Sequence, residues 1–375
     1  MSQKSRKALV TGAFGFSGLH LLKRLLEDGY QVFATDLGDA LESPDRLQVA
    51  NSIGLNIHHP GLTLVAADLM QPVTIIQLLK TSGPVDVLFH LASLYNYSAS
   101  LDALFRINVT GTQNLLSLLK EYKPAHLVHF STCGVFGKPI KNGKHCNIPF
   151  TENSSSPRNV PPGADGPLNT KLVNEYSISK FKQEQLVWNF ASENEVPVTV
   201  LRPAPIYGPG STYGHGGIIK VIADGLLPAI PADARNYINA SVHVGDLVKF
   251  AAFVAVEPDH FGQDYNVADR SVISYFDFLS YIALLTGRAF IEIPLSLDLV
   301  RPALVGTAGV MTWLERNLFL PRIRVLEVQS AQYIGSSYWI SNQKVLSTGY
   351  EFEYASVKEG LKNTVTWFKS QGLIH

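Results

Sequence analysis

"VTGAFGFSG", residues 10–18, decides how the rest of the chain is read. Three glycines, Gly12, Gly15 and Gly18, stand at intervals of three directly after the apolar run 7–11. They open onto GLHLLKRLLED, 18–28, whose apolar positions recur at helical spacing. Glycine admits positive φ and close backbone approach. At a strand-to-helix turn, those properties let amide N–H groups gather around a pyrophosphate, with the helix dipole favouring the anion. The run Gly15, Phe16, Ser17, Gly18 would supply that helix start. The spacing is G-x-x-G-x-x-G, one residue longer than the dinucleotide fingerprint G-x-G-x-x-G. Asp36 follows at the end of QVFATD, where a carboxylate accepts hydrogen bonds from a ribose diol and repels a 2′-phosphate. No Arg or Lys follows before Arg46, so NAD is expected over NADP.

Working outward, near-continuously apolar runs at 31–35, 62–66, 85–91, 126–130 and 196–201 alternate with helical patterns at 73–80, 108–121 and 175–194. That alternation predicts an α/β fold, a Rossmann-type doubly wound parallel sheet covered on both faces, with a smaller C-terminal substrate-binding lobe. The expected division assigns 1–202, 241–268 and 330–342 to the nucleotide domain, and 203–240, 269–329 and 343–375 to the lobe. One long irregular stretch, 138–174, reads as an insertion over the substrate mouth.

Composition excludes several classes. Among 375 residues, Lys plus Arg and Asp plus Glu are both 31, and no basic run marks a nucleic-acid partner. Two cysteines, Cys133 and Cys146, make neither a disulfide framework nor a cysteine-rich zinc site, and no metal is expected. His58 and His59 read as a loop, and His215 as a solvated loop histidine. The apolar start is too short for a secretory segment, and no run reaches membrane-spanning length. A soluble, cytoplasmic protein acting on a small molecule is expected.

The chemistry is suggested by NEYSISKFKQEQ, which places Tyr176 and Lys180 four residues apart on one helical face. A neighbouring ammonium and a nicotinium ring both favour phenolate, drawing a tyrosine toward the working range of a base. HLVHFSTCG ends a strand at 130 and sets Ser131, Thr132 and Cys133 at the carboxyl edge of the sheet, where open α/β sheets bind ligands.

With these residues in place, the chain resembles the extended short-chain dehydrogenase/reductase family over nearly its whole length. The resemblance rests on TGAFGFSG (11–18), Asp36, AADL (66–69), HLAS (90–93), NVTGT (108–112), STCGVFG (131–137), YSISK (176–180), LRPAPIYGPG (201–210) and VHVGDLV (242–248). It implies Tyr176 as acid/base, Lys180 as its ribose-binding cation and Thr132 as the hydroxyl that holds the reacting oxygen. It further implies Asp68 and Leu69 beside the adenine, Leu91 and Ala92 along the nicotinamide ribose, and Pro203 and Ile206 near the nicotinamide. Asn108 matches the family asparagine; a helix N-cap is the equal alternative.

Cys133 and Gly134 stand where the family's dehydratases carry Asp-Glu, and Arg235 is displaced from the position of the epimerases' diphosphate arginine. The C-terminal third is similar to the 3β-hydroxysteroid and sterol dehydrogenase branch, in which 293–321 would be a membrane-leaning segment. The expected function is therefore NAD-dependent interconversion of a secondary alcohol and a ketone on a hydrophobic, sterol-like or polyketide-like substrate. The alternatives are a nucleotide-sugar 4-epimerase and a non-catalytic NAD-binding sensor or scaffold. By the same resemblance, a homodimer through the long helices is expected.

Overall fold

Apolar residues in the first half of the chain alternate in allegiance along each strand. Ala8, Val10, Val32, Ala34, Val87, Phe89 and Val128 belong to one buried cluster, while Leu9, Phe33, Leu88, Leu127 and Val200 belong to another. Successive side chains on a strand point to opposite faces, so a sheet that hides both sets must be covered on both sides. The computed structural model, which describes residues 5–96, 99–139, 148–154, 156–159, 172–318 and 337–375, has that arrangement.

Seven strands, β1 (Lys7–Thr11), β2 (Gln31–Asp36), β3 (Leu62–Ala66), β4 (Val87–His90), β5 (Leu127–Phe130), β6 (Val198–Pro203) and β7 (Asp264–Val267), form one sheet in the order β3-β2-β1-β4-β5-β6-β7. Every pairing is parallel. The chain order reverses between β1 and β4, and the carboxyl ends of those two strands open the crevice in which such sheets bind ligands. The expected strand at 85–91 is shorter, and that at 196–201 begins and ends two residues later. The helix Phe16–Glu27 begins at Phe16, inside the glycine run.

After β6 the chain builds a different core. Ile219, Ile222, Phe278, Ile282, Leu361 and Phe368, from the helices His215–Ala223, Tyr275–Leu285 and Val357–Ser370, pack together with Tyr207 of the short strand Ile206–Tyr207. The helix Leu297–Leu318 carries Pro302 and exposes Leu299, Val310 and Trp313. Among the described residues no helix is long and apolar enough to cross a membrane.

Part of the insertion at 138–174 lies outside the described residues. Its described stretch is strapped to the β7 edge. Phe150 exchanges backbone hydrogen bonds with Trp339 and Ser341, Glu152 accepts from Asn266 N at 2.8 Å, and Arg158 reaches Asp264 at 2.9 Å.

Candidate active site

The glycine loop is built for close approach. Gly12 has φ +67°, and a Cβ there would lie 2.7 Å from Ala92 N and 3.0 Å from the Leu91 carbonyl carbon. A Cβ on Gly18 would lie 2.4 Å from Gly12 O. Side chains at either place would displace backbone, so the loop is held against Leu91 and Ala92 at the β1/β4 switch point. Gly15 caps the helix Phe16–Glu27 with no side-chain partner and no acid in the first turn, which includes Ser17. An uncapped, acid-free terminus beside a glycine turn suits a phosphate.

Asp36 closes the other side. Its Oδ2 accepts from Phe14 N and its Oδ1 from Leu37 N, both at 2.9 Å. Arg46 stands 3.6 Å from Oδ2, closer than its distance in sequence suggests. Asp68 and Leu69 follow β3, whose last residue, Ala66, is paired with Asp36. Leu69 is fastened by Asn114 Nδ2 at 2.9 Å and by Gly111, where a Cβ would approach its side chain to 3.2 Å. Pro203 ends β6, and Ile206 pairs with Val242 in a short parallel ladder. The donors, the cradle that side chains would fill and the carboxylate fit a dinucleotide.

Tyr176 and Lys180 lie in the first turns of the helix Glu175–Asn194, where Asn174 Oδ1 caps Ser177 N at 2.9 Å. The Lys180 side chain is buried, and its Nζ donates to Phe130 O at 2.8 Å, to Ser93 Oγ at 3.1 Å and to Gln183 Oε1. Burial pushes this ammonium down to about 7, against the opposing charge of Glu184. Thr132 caps the short turn Cys133–Phe136, with Oγ1 accepting from Gly134 N at 3.2 Å. A Cβ on Gly134 would sit 2.8 Å from Ser177 Oγ, so the Thr132 turn presses against the turn that bears Tyr176. Tyr338 donates to Cys133 O at 2.7 Å and fixes this turn from the other side.

Asn108 is not a helix N-cap. It lies in a π-turn, Phe105–Thr110, set between Leu101–Leu104 and Gly111–Leu119, while Ser100 provides the cap. Such wide turns recur at functional sites. Asn108 is fully buried, accepts from Leu94 N at 2.6 Å, and donates to Ser179 Oγ at 2.9 Å. It thus joins the loop after β4 to the tyrosine-bearing helix. His215 is also not a solvated loop residue. It begins a helix, is buried, and faces Asn239 Oδ1 at 3.1 Å, because the chain after Gly214 turns inward against Phe278.

The structure adds residues that the motifs did not single out. Tyr95 makes edge contacts with Tyr176 and Tyr213, at ring separations of 5.1 and 4.9 Å, forming an aromatic wall beside the proposed base. Glu184 pairs with Arg202 at 2.6 Å and accepts from Ser131 at 2.5 Å, and Arg202 continues to Asp264. Arg235, the arginine considered for a diphosphate, instead pairs with Glu292 and stacks 3.4 Å over the Phe276 ring. Helical spacing from Lys180 could have drawn attention to Gln183 and Glu184. Nothing local could have found Tyr95 or Tyr213, whose meeting requires the fold.

The family model of the NAD dependent epimerase/dehydratase family matches residues 8–268. The chain is 26% identical over 384 residues to short-chain dehydrogenase/reductase family 42E member 1 of Homo sapiens, covering 99% of this chain and 89% of that protein. It is 26% identical over 294 residues to the decarboxylating sterol-4-alpha-carboxylate 3-dehydrogenase of Bos taurus, covering 76% of this chain and 70% of that one. Among solved structures, a UDP-glucose 4-epimerase of Thermus thermophilus in complex with NAD superposes with a TM-score of 0.64 at 20% identity, covering 97% of this chain and 99% of that chain. That last likeness is one of fold.

Proposed function

As the chain belongs to the NAD dependent epimerase/dehydratase family and is an NAD-dependent enzyme, we propose that it interconverts a secondary alcohol and a ketone on a hydrophobic, sterol-like or polyketide-like substrate. The carrying observation is the placement of Lys180. Its ammonium is buried under the end of β5 one helical turn after Tyr176, while the Thr132 turn packs on that same turn.

In alcohol oxidation, Tyr176 Oη takes the hydroxyl proton and Thr132 Oγ1 holds the same oxygen. Lys180 stabilises the phenolate and holds the ribose next to Leu91 and Ala92. Bound NAD supplies the acceptor for the hydride that leaves carbon. Asp36 would accept the adenosine ribose diol, Asp68 and Leu69 would flank the adenine, and Pro203 and Ile206 would lie near the nicotinamide. Asn108 supports this constellation through Ser179. We place the substrate in the lobe formed by 203–240, 269–329 and 343–375, against Tyr95 and Tyr213.

Two observations disfavour the nucleotide-sugar reading. Arg235 is engaged elsewhere, and the residues before His243, Ala240 and Ser241, carry no cation to hold a diphosphate. The Bos taurus relative, named for a sterol carboxylate, supports the hydrophobic class. The test is NADH formation followed over a panel of secondary alcohols that includes 3β-hydroxysteroids, with Tyr176→Phe as control. Turnover abolished by Tyr176→Phe supports the proposal. Turnover of a UDP-sugar with none of the alcohols overturns it. Loss of NAD affinity as the sole consequence of Tyr176→Phe would favour a sensor or scaffold.

For location and assembly we infer a cytoplasmic homodimer that touches membrane surfaces through 293–321, of which 319–321 lie outside the described residues. The exposed Leu299, Val310 and Trp313 support the surface contact. Failure to co-float with phosphatidylcholine vesicles would remove it.

A further inference from the structure

We propose that Gln183 is a positioning residue for Lys180, a neutral acceptor that fixes the ammonium beside Tyr176 without cancelling its charge. The inference rests on the catalytic reading of that pair given above.

An ammonium has three donors, and each has a partner here: the Phe130 carbonyl at the end of β5, the Gln183 amide oxygen one turn along the same helix, and the Ser93 hydroxyl after β4, the longest of the three contacts and the one a ribose hydroxyl would replace. Of these three, only Gln183 is itself anchored by a further set of side chains. Its Nε2 donates to Thr112 Oγ1 at 2.8 Å and to Ala92 O at 3.3 Å, while Ser93 Oγ donates to Oε1 at 3.2 Å. Reversing the amide would oppose its NH2 to the ammonium and its oxygen to the Ala92 carbonyl, so the orientation is determined. The side chain is fully buried and therefore rigid. Through Ala92 it also touches the strand end against which the glycine loop rests.

The charges that face Lys180 come from four elements. His90 on β4 and His129 on β5 are held neutral, since burial pushes His90 down to about 3 and His129 well below its ordinary value. Arg202 on β6 is paired with Glu184, which belongs to the same helix as Lys180. The helix Gly111–Leu119 contributes the uncharged Thr112. An amide thus completes the shell of the ammonium where a carboxylate would form an ion pair and remove the field felt by the phenol. Deleting the amide has the same end result by another route. Burial already lowers the ammonium to about 7, and losing this acceptor lowers it further, so that at neutral pH the phenol is left without a cation.

The test uses the full chain with 13Cζ-labelled tyrosine and saturating NAD, and follows the Tyr176 resonance through a pH titration. The resonance is assigned among the 15 tyrosines by its loss in Tyr176→Phe. Lys180→Met is expected to raise the Tyr176 titration midpoint. Gln183→Met is expected to raise it by about 1 pH unit, and to add nothing in the Lys180→Met background, because it acts through that residue. Gln183→Glu, which keeps the acceptor, is expected to raise it as well, and provides a second variant should Gln183→Met fail to fold. An unmoved midpoint in the Gln183 variants, or a full extra shift on top of Lys180→Met, overturns the proposal while leaving the catalytic pair intact. An unmoved midpoint in Lys180→Met overturns the catalytic reading and this proposal together.

Discussion

Asp36 receives amides from both Phe14 and Leu37 and stands 3.6 Å from Arg46. Its carboxylate therefore shapes the loop and, on the proposed reading, would accept a ribose diol and offset an arginine that could otherwise hold a 2′-phosphate. Asp36→Asn removes the charge and, because both carboxylate oxygens accept amides, one of the two loop hydrogen bonds, so affinity for both cofactors should fall while the ratio of NADP to NAD affinity should rise by about tenfold, a change of about 1.4 kcal/mol. Calorimetric titration with both cofactors checks it, and an unchanged ratio would refute the electrostatic account. At Gly18 the constraint is steric. Gly18→Ala forces a methyl to within 2.4 Å of Gly12 O and 2.5 Å of Ala13 O, so the loop must open. NAD affinity should fall by more than about tenfold, with little effect on binding anywhere outside the loop.

At the scale of elements, the helix Glu175–Asn194 was legible to the residue, because Asn174 is a strong cap and neither Gly nor Pro interrupts the run that follows. Asn174→Ala should cost about 1 kcal/mol of stability, read from urea unfolding. Because the lost cap frees the turn that holds Tyr176, turnover should fall further than this loss of stability would explain. A stability loss with turnover unchanged would show that the first turn is positioned by packing on Gly134 alone. The helix at 101–119 was not legible in the same way. Its extra residue at Phe105–Thr110 leaves no trace in a 3.6-residue pattern, and Asn108 at the start of a motif mimics an N-cap. The wide turn directs Asn108 toward Leu94 and Ser179, which only the tertiary packing could reveal.

Across the whole molecule, the ionic line Ser131–Glu184–Arg202–Asp264 crosses the buried end of β5, β6 and β7. Burial raises the Asp264 carboxyl, but Arg202 and Lys344 hold it below its ordinary value. Arg202→Met leaves two buried carboxylates without their central partner and should cost about 3–5 kcal/mol in urea unfolding. Acid should also destabilise the fold. Burial lowers His90 and His243 to about 3, and His20, His126 and His215 to about 4. For each, the unfolded chain takes up a proton as pH falls through 6.5, and the folded chain does not. Stability present above 6.5 is thus lost below it, at about 1.4 kcal/mol per pH unit for a fully buried group such as His90. Asp269, raised to about 7 by burial, acts in the opposite sense between 7 and its ordinary range. Burial raises Glu152 and Asp246 as well and lowers His129 and His260, so three such acids stand against seven histidines and do not offset them. The urea midpoint should be lower at pH 5 than at pH 7, and equal midpoints would contradict this balance.

The sequence by itself determined the parallel sheet, the glycine turn, the acid after β2 and the helix that pairs Tyr176 with Lys180. These depend on periodicity, backbone freedom and short-range spacing, which act between near neighbours in the chain. Tertiary structure alone decided that Arg46 meets Asp36, that Tyr95 and Tyr213 line up beside Tyr176, that Arg235 is engaged with Glu292, and that Gln183 holds Lys180. Each of these contacts either closes a loop between distant segments or depends on which helix face is buried. Such choices are settled by packing and by the need to satisfy buried polar groups, and apart from the helical spacing of Gln183 to Lys180 no local pattern records them.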